Sequence, residues 1–319
     1  MGEFDLIERY FKRPAQRADV GIGDDCAVWT PRAGYQLAFS ADMLVEGRHF
    51  LPTVNPQHLG HKALAVNLSD LAACGATPQA FLLSLSLPRA DEAWLAGFSS
   101  GLLQLADQHG CELIGGDTTQ GPLNIAITVM GDTPMGQSIL RSGAQVGDDV
   151  YVSGHLGDAR LALEGFRGSV SLPQAVFDSA RLRMECPTPR IALGHALRGI
   201  ATAMADISDG LLGDLGHILK ASRVGAEIDI TIAAKLMQTG HLWSCPEDLG
   251  LTCVMSGGDD YELVFSAPPR ASAQVQLAAE ASDTPITCIG RITDSLSLVL
   301  LGGDGLPVTT SFKSFDHFA

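Results

Sequence analysis

The chain has 319 residues, 46% hydrophobic and only 18% charged, which is enough apolar material for two cores and excludes a disordered chain. A net charge of −15, from 21 basic against 36 acidic residues, excludes a protein that grips a nucleic-acid backbone. No apolar run approaches a membrane span, so no membrane partner is expected, and the first residues lack the basic start of a secretion signal. Seven scattered cysteines, without a C-x-x-C pair, read as reduced thiols, mostly core filler. Cys26, beside Asp25, reads as one of them. A cytoplasmic location is expected.

Phe4, Ile7, Tyr10 and Phe11 predict an opening amphipathic helix. A strand over 35–41 runs to Asp42, and a helix over 56–74 has Pro56 at its start and Gly75 as its stop. Strand 80–87, helix 91–109 closed by Gly110, strand 112–114 and strand 124–130 follow. Turn residues cluster from Asp132 to Asp149 and mark a boundary, giving domains over 1–138 and 139–319. The second half predicts strand 150–152, a helix from Asp158, and helices near 174–184 and 189–198. Strand 203–205 enters a helix that reaches about Ser222. Strands near 226–232, 261–266, 286–291 and 296–301 and a helix at 271–282 complete it. Neither half alternates strand and helix regularly, which favours an α+β class over a doubly wound sheet.

One pattern recurs: a short apolar strand runs into a Gly- or Ser-containing turn that carries aspartate. It occurs at Gly23-Asp24-Asp25, Ser40-Ala41-Asp42, Gly115-Gly116-Asp117, Asp206-Ile207-Ser208-Asp209-Gly210 and Gly257-Gly258-Asp259-Asp260, with Asn67-Leu68-Ser69-Asp70 added from a helix. Any one of these is an ordinary turn. As a set they bring carboxylates that repel by about 4 kcal/mol per close pair unless cations gather them. Oxygen ligands without nearby His or Cys suit Mg²⁺. The glycine pairs let backbone N–H groups approach phosphate, and a helix opening after Ser208 can point its positive end at an anion. Arg141 offers either a mobile charge or a surface side chain. No residue reads as a covalent nucleophile or general base, which fits direct phosphoryl transfer.

At these motifs the chain resembles the thiamine-monophosphate kinase family. The resemblance is carried by Gly21-Ile22-Gly23-Asp24-Asp25-Cys26-Ala27, His49-Phe50-Leu51-Pro52, Asn67-Leu68-Ser69-Asp70-Leu71-Ala72-Ala73 and Ile114-Gly115-Gly116-Asp117-Thr118-Thr119. It continues through Arg141-Ser142-Gly143-Ala144, Asp206-Ile207-Ser208-Asp209-Gly210-Leu211, Ser256-Gly257-Gly258-Asp259-Asp260-Tyr261-Glu262 and Asp316-His317-Phe318. It implies a PurM-like two-domain fold: an N-terminal sheet domain that makes a homodimer and a C-terminal α/β domain. It implies ATP as co-substrate and thiamine monophosphate as acceptor, giving thiamine diphosphate, with several Mg²⁺ ions. By the family pattern Asp25, Ser40, Asp42, Asp70, Asp117, Asp206 and Asp209 hold magnesium. Gly116, Asp117, Arg141 and Ser208 lie against ATP, and His49, Asp259 and Phe315 meet thiamine monophosphate.

Three positions depart from the family pattern: Ala41 replaces Thr, Asp259 replaces Glu, and Phe315 replaces Tyr or Trp. The competing readings are another PurM-like ATP-using enzyme and a non-catalytic acidic metal-binding protein.

Overall fold

The computed structural model describes residues 2–308 and 312. It divides into two compact units: residues up to Leu71 together with Ala76–Gly136, and Ala72–Gly75 together with the chain from Gln137 onward.

The first unit holds helices α1 (Glu3–Tyr10), α2 (Pro56–Ala73) and α3 (Glu92–His109) and strands β1 (Tyr35–Val45), β2 (Thr77–Leu87), β3 (Glu112–Gln120) and β4 (Asn124–Pro134). The sheet order is β1-β4-β2-β3. β4 pairs antiparallel with both neighbours, while β2 and β3 run parallel because α3 carries the chain back between them. Side chains and a glycine seal these helix ends. Asn55 accepts the N–H of Gln57 at the start of α2, Asp91 accepts those of Ala93 and Trp94 at the start of α3, and Gly110 ends α3 at φ 57°. Leu59, Leu64, Leu68 and Leu71 of α2 are buried, as are Leu95, Phe98 and Leu102 of α3 and the sheet residues Phe81, Leu83, Leu85, Ile125, Ile127 and Val129. The two helices cross backbone to backbone: a Cβ on Gly60 would overlap the Phe98 carbonyl, and one on Gly101 the Gln57 carbonyl.

The second unit holds a six-stranded mixed sheet, order β10-β7-β9-β5-β8-β6. Its strands are β5 (Asp149–Ser153), β6 (Ala203–Asp206), β7 (Gly225–Asp229), β8 (Leu263–Ala267), β9 (Ile286–Thr293) and β10 (Leu298–Leu301). Its helices are α4 (Asp158–Arg167), α5 (Gln174–Glu185), α6 (Ile191–Ala196), α7 (Leu211–Ser222), α8 (Ile230–Ala233), α9 (Glu247–Ser256) and α10 (Ser272–Ala281). One core joins Val150, Val152, Ala203, Ala205 and Val264 of the sheet to Leu161, Val176, Leu215, Ile218 and Val254 of α4, α5, α7 and α9. Intervening strand residues point the other way, and there Tyr151 stacks on Phe265 with ring centroids 5.2 Å apart.

Several sequence expectations are corrected. The strand near 226–232 stops at Asp229, whose carboxylate accepts the N–H groups of Thr231 and Ile232 and caps α8. Helix α9 was not expected, although Cys253, Val254 and Met255 supply its buried side. Strand β1 continues past Asp42 to Val45, and β3 continues past Ile114 to Gln120. Asp42 and Asp117 therefore lie inside strands, not in turns at their ends. The cysteines are not mostly core filler: Cys111 and Cys253 are buried, three are intermediate, and Cys26 and Cys288 are exposed.

Candidate active site

In the first unit, α2 and the edge strand β1 bring together one part of the expected set. Asn67 and Asp70 stand three residues apart on α2, hence on one face. Asn67 Oδ1 accepts the backbone N–H of Asp42 at 3.1 Å, and Ser40 Oγ donates to Asp70 Oδ2 at 2.5 Å. Alternation along β1 puts Asp42 on the same side as Ser40. Ala41 points to the opposite, exposed face, so the family's hydroxyl would not join Ser40 and Asp42 there.

Gly116 and Asp117 lie on β3, at the other edge of the same sheet. Asp42 pairs with Ile127, Ile127 with Leu83 and Leu83 with Gly116, so three strand spacings, about 14 Å, separate Asp42 from Gly116 along the sheet. Gly116, at φ 145°, takes its place because a Cβ would overlap the Leu83 backbone. Asp25 is exposed in the loop after Gly23, where its N–H is held by Asp24 Oδ1 at 2.8 Å. Among the described residues no group of three His, Cys, Asp or Glu side chains is placed to hold a metal ion. The donors gathered at β1 and α2 are nevertheless all oxygen, two carboxylates and a hydroxyl. That fits magnesium, which takes one or two protein carboxylates and fills its other positions with water and phosphate.

His49 follows β1 in a tight turn. Its Nδ1 accepts the N–H of Val45 at 3.0 Å, which fixes the proton of a neutral ring on Nε2, and its carbonyl accepts from the buried Lys62 at 3.3 Å.

In the second unit two loops interlock. Asp206 ends β6 and is buried, and Ile207, Ser208 and Asp209 lead through Gly210 into α7. The N–H of Asp259 donates to the Ser208 carbonyl at 2.9 Å, that of Tyr261 to the Ile207 carbonyl at 2.8 Å, and that of Ile207 to the Glu262 carbonyl at 2.8 Å. Gly258 is required because a Cβ would overlap the Ser208 carbonyl, and Gly210, at φ 112°, because one would meet Ser256. Asp259 and Tyr261 both hold left-handed backbone, φ 67° and 51°, a strain of order 1–3 kcal/mol each that the surrounding bonds must sustain. The Tyr261 hydroxyl donates to Asp259 Oδ1 at 3.3 Å.

The residues that hold this turn lie just outside the expected set. Both Ser208 and Asp209 donate their N–H groups to Asp214 Oδ2, each at 3.0 Å. Those two donors face an internal carboxylate. Burial pushes the Asp214 carboxyl up to about 7 against the pull of these bonds. Asp260 caps α4, both its oxygens accepting from Gly157 at 3.0 and 2.9 Å, and burial holds its carboxyl well above the usual range. Glu262, 1% exposed, receives Ser153 Oγ at 2.7 Å, Arg183 at 3.0 Å and the two nitrogens of Arg190 at 2.6 and 2.5 Å. Sequence reasoning missed Asp214, although a lone carboxylate among Leu211, Leu212 and Leu215 is itself a signal of a buried polar role. Arg141 lies on the loop before β5, and Phe315 lies outside the described residues.

Models of AIR synthase related proteins match twice, the N-terminal domain over residues 23–133 and the C-terminal domain over 145–306. The thiamine-monophosphate kinase of Escherichia coli (strain K12) is 44% identical over 322 residues, covering 100% of this chain and 98% of its own. The chain belongs to the thiamine-monophosphate kinase family. A crystal structure of the family member from Stenotrophomonas maltophilia K279a superposes with a TM-score of 0.84 at 43% identity, covering 96% of each chain. Another, AaThiL complexed with AMPPCP and TMP, gives 0.75 at 29% identity, covering 91% of this chain and 89% of its own. In this family the PurM-like expectation for the fold holds in both units.

Proposed function

We propose that this protein transfers the γ-phosphoryl group of ATP to the phosphate of thiamine monophosphate, giving ADP and thiamine diphosphate. The observation that carries this reading is end-to-end likeness to thiamine-monophosphate kinases, one of them solved with an ATP analogue and TMP. The acceptor is a phosphate monoester whose second pKa is about 6, so its oxygen is already ionised at neutral pH and needs no general base. That oxygen bonds to the γ-phosphorus while the bridging oxygen leaves with its electron pair on ADP, in line and without an enzyme-bound intermediate. The obstacle is repulsion between two polyanions.

Magnesium, when bound, supplies the positive charge that offsets this repulsion. Ser40, Asp42 and Asp70 are the residues proposed to hold one ion, with Asp25, Asp117, Asp206 and Asp209 serving others. The separation of Asp42 from Asp117 across the first sheet favours several ions over one. Gly116, Asp117, Arg141 and Ser208 are assigned to ATP. His49, through its Nε2–H, and Asp259, braced by Tyr261, are assigned to thiamine monophosphate, with Phe315 as the wall for its rings.

A homodimer and a cytoplasmic location belong to the same proposal. The face of the first sheet turned away from α2 exposes Phe39 (64%), Met43 (54%), Leu37 and Leu82, an apolar surface suited to a second copy. The seven free thiols suit a reducing compartment. No helix among the described residues is long and apolar enough to cross a membrane. The deciding experiment is a coupled assay on purified protein with ATP, magnesium and thiamine monophosphate. Absence of thiamine diphosphate would sink the reading. Asp70→Asn and Asp117→Asn are each expected to abolish turnover with the fold retained.

A further inference from the structure

Helix α7 meets the proposed nucleotide residues at both ends. Asp214, near its start, holds the backbone of Ser208 and Asp209. At its last residue, Ser222 Oγ meets three backbone groups of a single loop. It accepts the N–H groups of Gly143 and Ala144, each at 3.1 Å, and donates to the Arg141 carbonyl at 3.2 Å. A serine hydroxyl has one proton to give and two lone pairs to accept with, so this one is fully used on the Arg141 loop.

The loop is fixed on both flanks of the arginine. Before it, the Leu140 carbonyl accepts the N–H of Met204 at 3.0 Å. After it, Gly143 sits at φ 128° where a Cβ would overlap the Thr202 carbonyl. The Arg141 side chain itself is exposed, and its positive charge acts on Asp214 near the other end of the same helix.

We propose that Ser222 is a positioning residue, which sets the Arg141 backbone so that the guanidinium meets the phosphates of ATP. This rests on the reading of Arg141 as a nucleotide contact. The hydroxyl does not touch substrate. It sets where the arginine's stem leaves the chain, and α7 ties that point to the Ser208–Asp209 turn.

Steady-state kinetics with ATP and thiamine monophosphate test this on wild type, Ser222→Ala, Ser222→Thr, Arg141→Met and the double variant Ser222→Ala/Arg141→Met. Loss of the hydroxyl is expected to raise KM for ATP about five-fold, the worth of one net hydrogen bond, while KM for thiamine monophosphate stays put. Threonine keeps the hydroxyl and restores the wild-type KM for ATP. The double variant is no worse for ATP than Arg141→Met alone, because both changes act through one side chain. If Arg141→Met raises KM for ATP and Ser222→Ala does not, the positioning role fails by itself. If Arg141→Met leaves KM for ATP unchanged, the nucleotide reading of Arg141 fails and takes this role with it. Equal changes in both KM values with a lowered Tm, or no rescue by threonine, would show a merely structural serine and overturn the proposal.

Discussion

Replacing Glu262 by Gln removes one negative charge from the most enclosed ion cluster of the second unit while keeping the side chain's shape. Glu262 is 1% exposed, and Arg183 and Arg190, at 17% and 14%, both end on it. Ser153 Oγ can still donate to the amide oxygen, so that bond survives. Each arginine loses a charge-assisted bond worth about 1.5–3 kcal/mol, and one amide hydrogen is turned toward a guanidinium. The sum, about 3–6 kcal/mol, covers the range of about 3–5 kcal/mol that breaking a buried ion pair on one side costs. Urea denaturation of wild type and variant measures it directly. The backbone of Glu262 also holds Ile207, so KM for thiamine monophosphate should rise along with the loss of stability. A change below about 1 kcal/mol would refute the view that these arginines depend on this carboxylate, because a surface ion pair is worth no more than that.

Gly258→Ala places a methyl group on the Ser208 carbonyl and must part the two interlocked loops. A displacement of about 1 Å there should lower kcat/KM about a hundred-fold with an unchanged circular-dichroism spectrum. Asp214 titrates near 7 in the folded protein against an ordinary value of 3.8, so between these values the folded state binds more protons than the unfolded chain. Its contribution to stability is full below 3.8 and declines as pH rises through about 7; in the presence of a chelator, Asp214→Asn should flatten that decline in a Tm-against-pH series. Burial pushes the Cys111 and Cys253 thiols up to about 12, so neither should react with a disulfide reagent at pH 8 until the protein is unfolded. The exposed Cys26 and Cys288 should react first, and Cys26→Ser should remove one thiol equivalent from that early reaction.

Local signals in the sequence carried much of the architecture. Proline at a helix start fixes φ and glycine at a helix stop takes left-handed backbone, both without distant partners, and α2 and α3 begin and end within a residue or two of where the sequence places them. What failed to show depends on distant partners. Gly115-Gly116-Asp117 reads as a turn until β2 is known to lie alongside, at which point the same glycine becomes the residue that lets two strand backbones approach. The motif aspartates were recognisable as a set, yet their grouping was not. Ser40 finds Asp70 only through the packing of α2 on β1, and Asp117 stands across the sheet. Asp214 escaped notice, and Ser222 stood in a family-like stretch without a role, because their partners are backbone groups, and a backbone partner leaves no residue type for a motif to display.

The crossing of α2 and α3 at Gly60 and Gly101 has a bearing on mutational tolerance. Helix α2 carries Asn67 and Asp70, so any side chain at either glycine would wedge that helix aside and shift both groups relative to the edge strand they serve. Two hydrogen atoms thereby set the gauge of the oxygen cluster. A substitution survey of this protein should find those sites as intolerant as the carboxylates themselves.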